Sequence, residues 1–399
     1  MRDSKIRPIA IHLPQYHPIP ENDKWWGKGF TEWTNVVNAR PLFPEHYQPQ
    51  LPAAEIGYYD MRRPETWEAQ ARLAKQYGIY GFCYYHYWFN GKLLLETPLH
   101  RMLELNEPDM PFMLCWANEN WTRRWDGLEQ DILIEQKYTD EDDEAHINYL
   151  MRFLRDPRYI KVDGKPVIII YKTFLLPDPQ KTAATWRKIA ATKGLELYLC
   201  HMVFSYRERN TLEKGFDAVI DFEPFGIRRE HSVFDEVSTQ RVAFYKRNLF
   251  HRISRKFGIV TERMRDPLLK YNVLDYDYCI RELRPLQQFN FKMYPSLVPG
   301  WDNSPRKKDN PTLLLKSSTP QKFQQWMASI LADFKPYSQQ ENFVFINAWN
   351  EWAEGNHLEP CIRWGAAYLQ ALKNALDDHH KGHETSSNDA VRSAFRASS

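Results

Sequence analysis

Phe343-Val344-Phe345-Ile346-Asn347-Ala348-Trp349-Asn350-Glu351-Trp352-Ala353-Glu354-Gly355-Asn356-His357-Leu358-Glu359-Pro360 is the stretch on which the fold turns. Its first part, Phe343–Ala348, is an apolar run of strand length, the composition of a strand covered on both faces. The rest breaks at once into tryptophan, asparagine, histidine and two glutamates three residues apart. Two carboxylates among aromatic rings suit glycosidic chemistry, in which one acid protonates the leaving oxygen and the other attacks or activates the attacker. The same pair could open a helix, where acidic side chains complement the dipole. Its neighbours, and its place at the end of a buried strand, favour the catalytic reading.

Seven further runs of the same kind precede it: Ile9–Leu13, Gly78–Tyr87, Phe112–Trp116, Val167–Tyr171, Leu195–Met202, Ala218–Phe222 and Phe291–Val298. Amphipathic stretches lie between them, at Pro64–Gln76, Asp140–Leu154, Gln180–Lys193 and Pro320–Phe334. Eight buried strands alternating with helices predict an α/β fold, a (β/α)₈ TIM barrel with long insertions on its active face. An open nucleotide-binding sheet would want glycines after its first strand. This chain has Leu13-Pro14-Gln15-Tyr16-His17-Pro18 there, with no room for a phosphate to approach the backbone.

We expect one barrel domain over 1–378, with insertions at about 18–59 and 229–290, and a polar, Ser-rich disordered tail at 379–399. The first insertion, rich in Pro and Trp, should lie over the active face. The second is locally basic (Lys246, Arg247, Arg252, Arg255, Lys256). Residues 241–257 read either as a solvated helix face or as a contact for an anionic glycan or a membrane surface.

With 53 Lys+Arg against 51 Asp+Glu, no global field points to nucleic acid. Fourteen Trp and 22 Tyr supply the flat faces and polar tips that sugar rings need, although a large core also uses them. The N-terminal residues lack a signal peptide's apolar stretch, no run is long enough to span a bilayer, and the five scattered cysteines read as reduced core thiols. A cytoplasmic protein is expected, with no metal and no cofactor. Asp275-Tyr276-Asp277 matches the Asp-x-Asp of metal-dependent glycosyltransferases only superficially, since it lies in an insertion.

Polar and aromatic side chains collect where the strands end, and these are the candidates for holding substrate: His12, Gln15 and Tyr16; His86, Tyr87 and Trp88; Trp116, Asn118 and Glu119; Trp301 and Asp302; Asn350 and Trp352. Glu351 and Glu354 are the catalytic candidates. Glu119, in an Asn-Glu pair of its own, reads equally as an acid/base or as a hydroxyl ligand. Along Tyr84-Tyr85-His86-Tyr87-Trp88 alternation sends one subset inward and the other toward the helices, and His86 is either a sugar ligand or an interior histidine.

Ile11-His12-Leu13-Pro14-Gln15-Tyr16-His17-Pro18, Gly29-Phe30-Thr31-Glu32-Trp33-Thr34-Asn35-Val36, Gly81-Phe82-Cys83-Tyr84-Tyr85-His86-Tyr87-Trp88, Cys115-Trp116-Ala117-Asn118-Glu119-Asn120-Trp121 and Ala348–Gly355 together resemble the WbsX-type family. Those proteins carry a domain similar to glycoside hydrolase family 99 and often accompany polysaccharide and O-antigen biosynthesis. The resemblance implies a barrel acting on an oligosaccharide or polysaccharide of α-manno configuration, mannose or rhamnose, with retention. Glu351 would take the proton of the 2-hydroxyl, giving a 1,2-anhydro intermediate, and Glu354 would protonate the leaving oxygen. Two alternatives remain: a glycosyltransferase of O-antigen or capsule synthesis, and an inactive glycan-binding barrel.

Overall fold

The computed structural model describes residues 5–123, 128–204, 215–228, 231–247, 270–281, 283–307, 311 and 313–397. Eight strands form the sheet: β1 (Arg7–His12), β2 (Gly81–Phe89), β3 (Phe112–Trp116), β4 (Lys165–Ile170), β5 (Tyr198–Val203), β6 (Ala218–Asp221), β7 (Met293–Tyr294 and Ser296–Leu297) and β8 (Phe343–Ile346). Every pairing around the ring is parallel, from β6 through β5, β4, β3, β2 and β1 to β8. The ring closes through β7, which Pro295 divides because proline brings no N–H to the ladder. Met293–Tyr294 pairs with β6 and Ser296–Leu297 with β8, while Phe345 N–H donates to Pro295 O at 2.9 Å. The result is a (β/α)₈ barrel.

The layer outside consists of α1 (Pro64–Gln76), α2 (Thr97–Leu105), α3 (Asp140–Leu154), α4 (Pro179–Thr192), α5 (Val233–Arg247), α6 (Pro320–Asp333) and α7 (Ala367–Ala397). Their starts follow from local chemistry. Thr139, Asp178 and Thr319 each accept a backbone N–H of the first turn (Asp142, Lys181 and Lys322), and proline opens α1, α4 and α6. Strands such as β4, Lys-Pro-Val-Ile-Ile-Ile, are buried on both sides because helices cover one face and the barrel interior the other.

Three features bear on the site. The stretch after β1 folds into short helices Pro20–Trp26 and Glu32–Asn38 and then zips onto the loop after β8, with Ala53 N–H on Pro360 O and Ile362 N–H on Leu51 O, both 2.9 Å. A hairpin of Trp121–Arg123 with Leu128–Ile134 follows β3, an element the strand reading did not anticipate. α7 runs on to Ala397. Its buried Leu369, Leu372 and Leu376 anchor the first turns, and each further residue then adds a hydrogen bond at little cost. Residues 248–257 of the basic stretch lie outside the described residues. Among the described residues no helix is long and apolar enough to cross a membrane.

Candidate active site

At the C-terminal end of the barrel lies a cleft of about 1080 Å³. Glu351 and Glu354 form its floor, at the end of β8 and in the helical turn Trp352–Glu354 that follows. Gly355 ends that turn with φ +58°, and a Cβ there would fall 2.8 Å from Gln50 Nε2 and 2.9 Å from the Asp302 Cβ, so only glycine fits.

Both carboxylates share one cation. Arg306, on the short helix Ser304–Lys307 after β7, reaches Glu351 Oε1 with Nη2 and Glu354 Oε1 with Nη1 at 2.9 Å. A third carboxylate, Glu32 from the first insertion, lies 3.3 Å from Nη2. Three acids around one guanidinium leave a surplus of negative charge in a site hidden from water. Exposure falls from 20% at the Glu354 side chain to 8% at Glu351 and 1% at Glu32. Burial pushes the Glu351 carboxyl up to about 8, with Arg306 opposing and Glu354 and Glu32 adding to it. Glu32 is also raised, first by burial, against the pull of Arg306. Burial alone would lower Arg306, but the three acids outweigh it and hold the guanidinium charged. The two glutamates thus differ in environment, as acid and base partners must.

Gln15, Tyr87, Glu119 and Trp301 line the cleft beside the two glutamates. Gln15 Nε2 donates to the Tyr87 hydroxyl at 2.5 Å, and Lys172 Nζ holds Glu119 Oε1 at 2.5 Å. Other lining residues were not among the candidates: Trp25 and Trp26 from the first insertion, Trp121 from the hairpin, and Tyr85, Tyr171 and Arg306. Trp25 and Trp121 meet edge to face with ring centroids 6.0 Å apart. Only the alternation along β2 carried a signal for Tyr85, which shares the inward face with Tyr87. Nothing in the sequence marked Arg306 except the need of two buried acids for a counter-ion.

The remaining candidates stand behind the cleft wall. Asn350 is spent on the backbone: its Oδ1 accepts Leu13 N–H at 2.8 Å and its Nδ2 donates to Leu13 O at 3.1 Å. It holds neither glutamate. The Tyr16 hydroxyl donates to Asn350 O at 2.5 Å and accepts Trp352 N–H at 3.2 Å. The Trp352 ring stacks on His357 at 3.7 Å, and its indole N–H donates to Glu359 Oε2 at 2.8 Å. Glu359 also accepts Trp349 Nε1 at 2.9 Å, Gln70 Nε2 at 2.7 Å and the Tyr59 hydroxyl at 2.8 Å. Burial pushes its carboxyl up to about 7, against those four donors. His12 joins the same network through Gln70 Oε1 at 3.0 Å, and burial takes its imidazole down to about 3, a neutral ring. These side chains fix the loop that carries Glu351.

On β2 the outward subset meets α3. His86 Nε2 lies 2.9 Å from His146 Nε2, and Trp88 stacks on His146 and donates to Asp142 at 2.8 Å. Trp116 is buried, its indole donating to Trp88 O at 3.2 Å. Asn118 clamps the Lys172 backbone by two 2.8 Å bonds and so positions the lysine that holds Glu119. Asp302 accepts His46 Nε2 at 2.8 Å and Gln48 Nε2 at 2.5 Å, and its own N–H donates to Glu354 O at 2.6 Å. Lys322 engages both acids of the Asp-x-Asp run, Asp277 at 2.8 Å and Asp275 at 3.7 Å.

Fold and cleft define a barrel protein of the carbohydrate-active class. Residues 8–372 match the family described as glycosyltransferase WbsX, and the chain belongs to that family. It is 41% identical over 374 residues to WxcX, an uncharacterized protein of Xanthomonas campestris pv. campestris, and 40% identical to WxcX of strain B100. Each alignment covers 92% of this chain and 49% of the relative, so the chain spans about half the length of these proteins. Among solved structures it resembles the GH99 endo-α-mannosidase of Bacteroides thetaiotaomicron, with TM-score 0.57 and 12% identity over 95% of this chain and 98% of that one. A glycoside hydrolase-like protein aligns with TM-score 0.56 and 14% identity, over 94% and 95% of the two chains. Likeness at that identity speaks for the fold.

Proposed function

We propose that the protein breaks or transfers a glycosidic bond at an α-manno-configured unit of a polysaccharide or oligosaccharide, through Glu351 and Glu354. The observation that carries this reading is the sharing of Arg306 by two carboxylates of unequal exposure on the floor of an aromatic cleft. Glu351, the deeper, takes the proton of the 2-hydroxyl, whose oxygen displaces the aglycone at the anomeric carbon and closes a 1,2-anhydro ring. Glu354, nearer the opening, gives its proton to the departing oxygen, then takes one from the hydroxyl that attacks the anomeric carbon, while the C1–O2 bond breaks and Glu351 returns its proton to O2. Arg306 screens the two acids from each other and steadies charge as the protons move. Trp25, Trp26 and Trp121 supply apolar faces for the sugar's C–H surfaces.

The acceptor is water in a hydrolase and a sugar hydroxyl in a transferase. The family description favours transfer, and the likeness to endo-α-mannosidases favours hydrolysis. We place the reaction in the cytoplasm, supported by five cysteines that are all buried.

The test is a panel of α-mannosides and α-rhamnosides, with and without nucleotide-activated donors, followed by anomeric proton NMR. Glu351→Gln and Glu354→Gln should keep saccharide binding and lose turnover by about 10³-fold or more. Full activity in either variant sinks the assignment. Binding without turnover of any substrate in the wild type returns the chain to the inactive glycan-binding class.

A further inference from the structure

A second cleft, of about 1510 Å³, opens on the other side of the catalytic turn. The loops after β7 and β8 build it, the region where barrels often hold phosphate groups. Gly355 and His357, one and three residues after Glu354, are on its lining. Asp302, tied by its N–H to Glu354 O, lines it too, and Trp301 lines both clefts.

Two cations, Arg363 and Lys316, stand on the lining of this second cleft. The guanidinium of Arg363 lies over the rings of Tyr47 at 4.6 Å and Trp364 at 5.0 Å, which fix its plane and leave its N–H edge open. Lys316 is a second cation on the same lining. Among the described residues neither forms an ion pair. The opposing acids are Glu45 on the rim and Asp302, whose carboxylate is already taken by His46 and Gln48. Tyr47, 38% exposed, gives a sugar an aromatic face on the same lining.

We propose that this cleft is a second saccharide site, which takes a glycosyl unit bearing an oxyanion, carboxylate or phosphate, on Arg363 and Lys316 beside the Tyr47–Arg363–Trp364 stack. A planar fork of donors with no internal partner is the geometry that receives two oxygens side by side. The inference goes beyond the reading of the first cleft and stands whether or not Glu351 and Glu354 are catalytic.

The test is calorimetric titration of the full chain with a uronic-acid trisaccharide, with mannose 6-phosphate and with neutral mannotriose. Arg363→Gln and Lys316→Gln sit on the surface and should leave the fold intact, checked by circular dichroism. At least one acidic probe should bind, lose tenfold or more in affinity in Arg363→Gln, and weaken with added salt, while mannotriose binds wild type and variant alike. Which acidic probe binds identifies the oxyanion. The proposal is overturned if neither acidic probe binds at millimolar concentration. It is also overturned if an acidic probe binds Arg363→Gln as tightly as the wild type.

Discussion

Glu32→Gln is the substitution that most directly probes how the three acids around Arg306 are balanced. Glu32 Oε2 and Glu351 Oε1 both touch Arg306 Nη2 and so lie no more than roughly 6 Å apart. At that separation and an effective dielectric of about 20, two unit charges repel by about 2.8 kcal/mol, or about two pH units. Arg306 touches both carboxylates and offsets part of that repulsion. The effect on Glu351 is then nearer one unit than two. In the wild type the Glu351 carboxyl stands at about 8, so only about a tenth of it is ionised at pH 7. A base must be ionised to act. The acid limb of the wild-type kcat/KM should therefore climb about tenfold per pH unit below 8. Removing Glu32's charge, and freeing Arg306 to serve Glu351, moves that limb toward acid by one to two units. The variant should then be about five- to tenfold faster than the wild type at pH 7. The kinetic assay is kcat/KM from pH 5 to 10 on whichever glycoside proves competent. The substrate-free check is the protonated-carboxyl stretch in infrared difference spectra, referenced to Glu351→Gln. An unmoved limb, or one displaced toward alkali, refutes the electrostatic argument. A wild-type rate that falls through pH 8 instead of rising would exchange the roles and make Glu351 the acid.

Glu359→Ala strands two indole N–H groups, the Gln70 amide and the Tyr59 hydroxyl in a buried place. It should cost about 3–5 kcal/mol in urea unfolding, and an unchanged midpoint would show that water replaces the carboxylate. Gly355→Ala meets both a left-handed backbone and the Gln50 and Asp302 atoms under 3 Å away. A loss of about 2–3 kcal/mol should follow, with a drop in turnover as the Asp302–Glu354 bond shifts; wild-type behaviour in both would contradict the packing described. Trp121→Ala, at the cleft edge, should weaken saccharide binding by roughly tenfold and leave kcat near the wild-type value. A change confined to kcat would move Trp121 from platform to chemistry.

The barrel was legible because its signals are long and mutually consistent. Phe112–Trp116, Pro64–Gln76 and Asp140–Leu154 have the same bounds in sequence reading and structure, since apolar runs and amphipathic periods each leave only one way to bury themselves. The hairpin after β3 escaped because Trp121–Arg123 is three residues long and too short to show a period. At the site, proximity to a strand end brought Glu351, Glu354, Gln15, Tyr87, Glu119 and Trp301 to one cleft. Other polar side chains at strand ends serve the scaffold. His86 and Trp88 alternate away toward α3, and Asn350 and Trp352 turn back to hold their own loop. A sequence shows that an asparagine follows a strand but not where its two hydrogen-bonding ends are consumed. Arg306 and Glu32 lay furthest from view, because their meaning comes from each other and from Glu351 across 274 and 45 residues of chain.

The Glu359 network also dictates when the protein becomes competent during its own synthesis. Tyr59 and Gln70 leave the ribosome early, and their shared acceptor follows them by 300 and 289 residues. Contacts of that span form late, after the chain closure they require. Until β8 docks beside β1, Tyr59 and Gln70 must satisfy their polar groups with water, and the loop bearing both acids has no fixed shape. Under the proposed function, activity would therefore report that β8 is in place and the whole ring has shut.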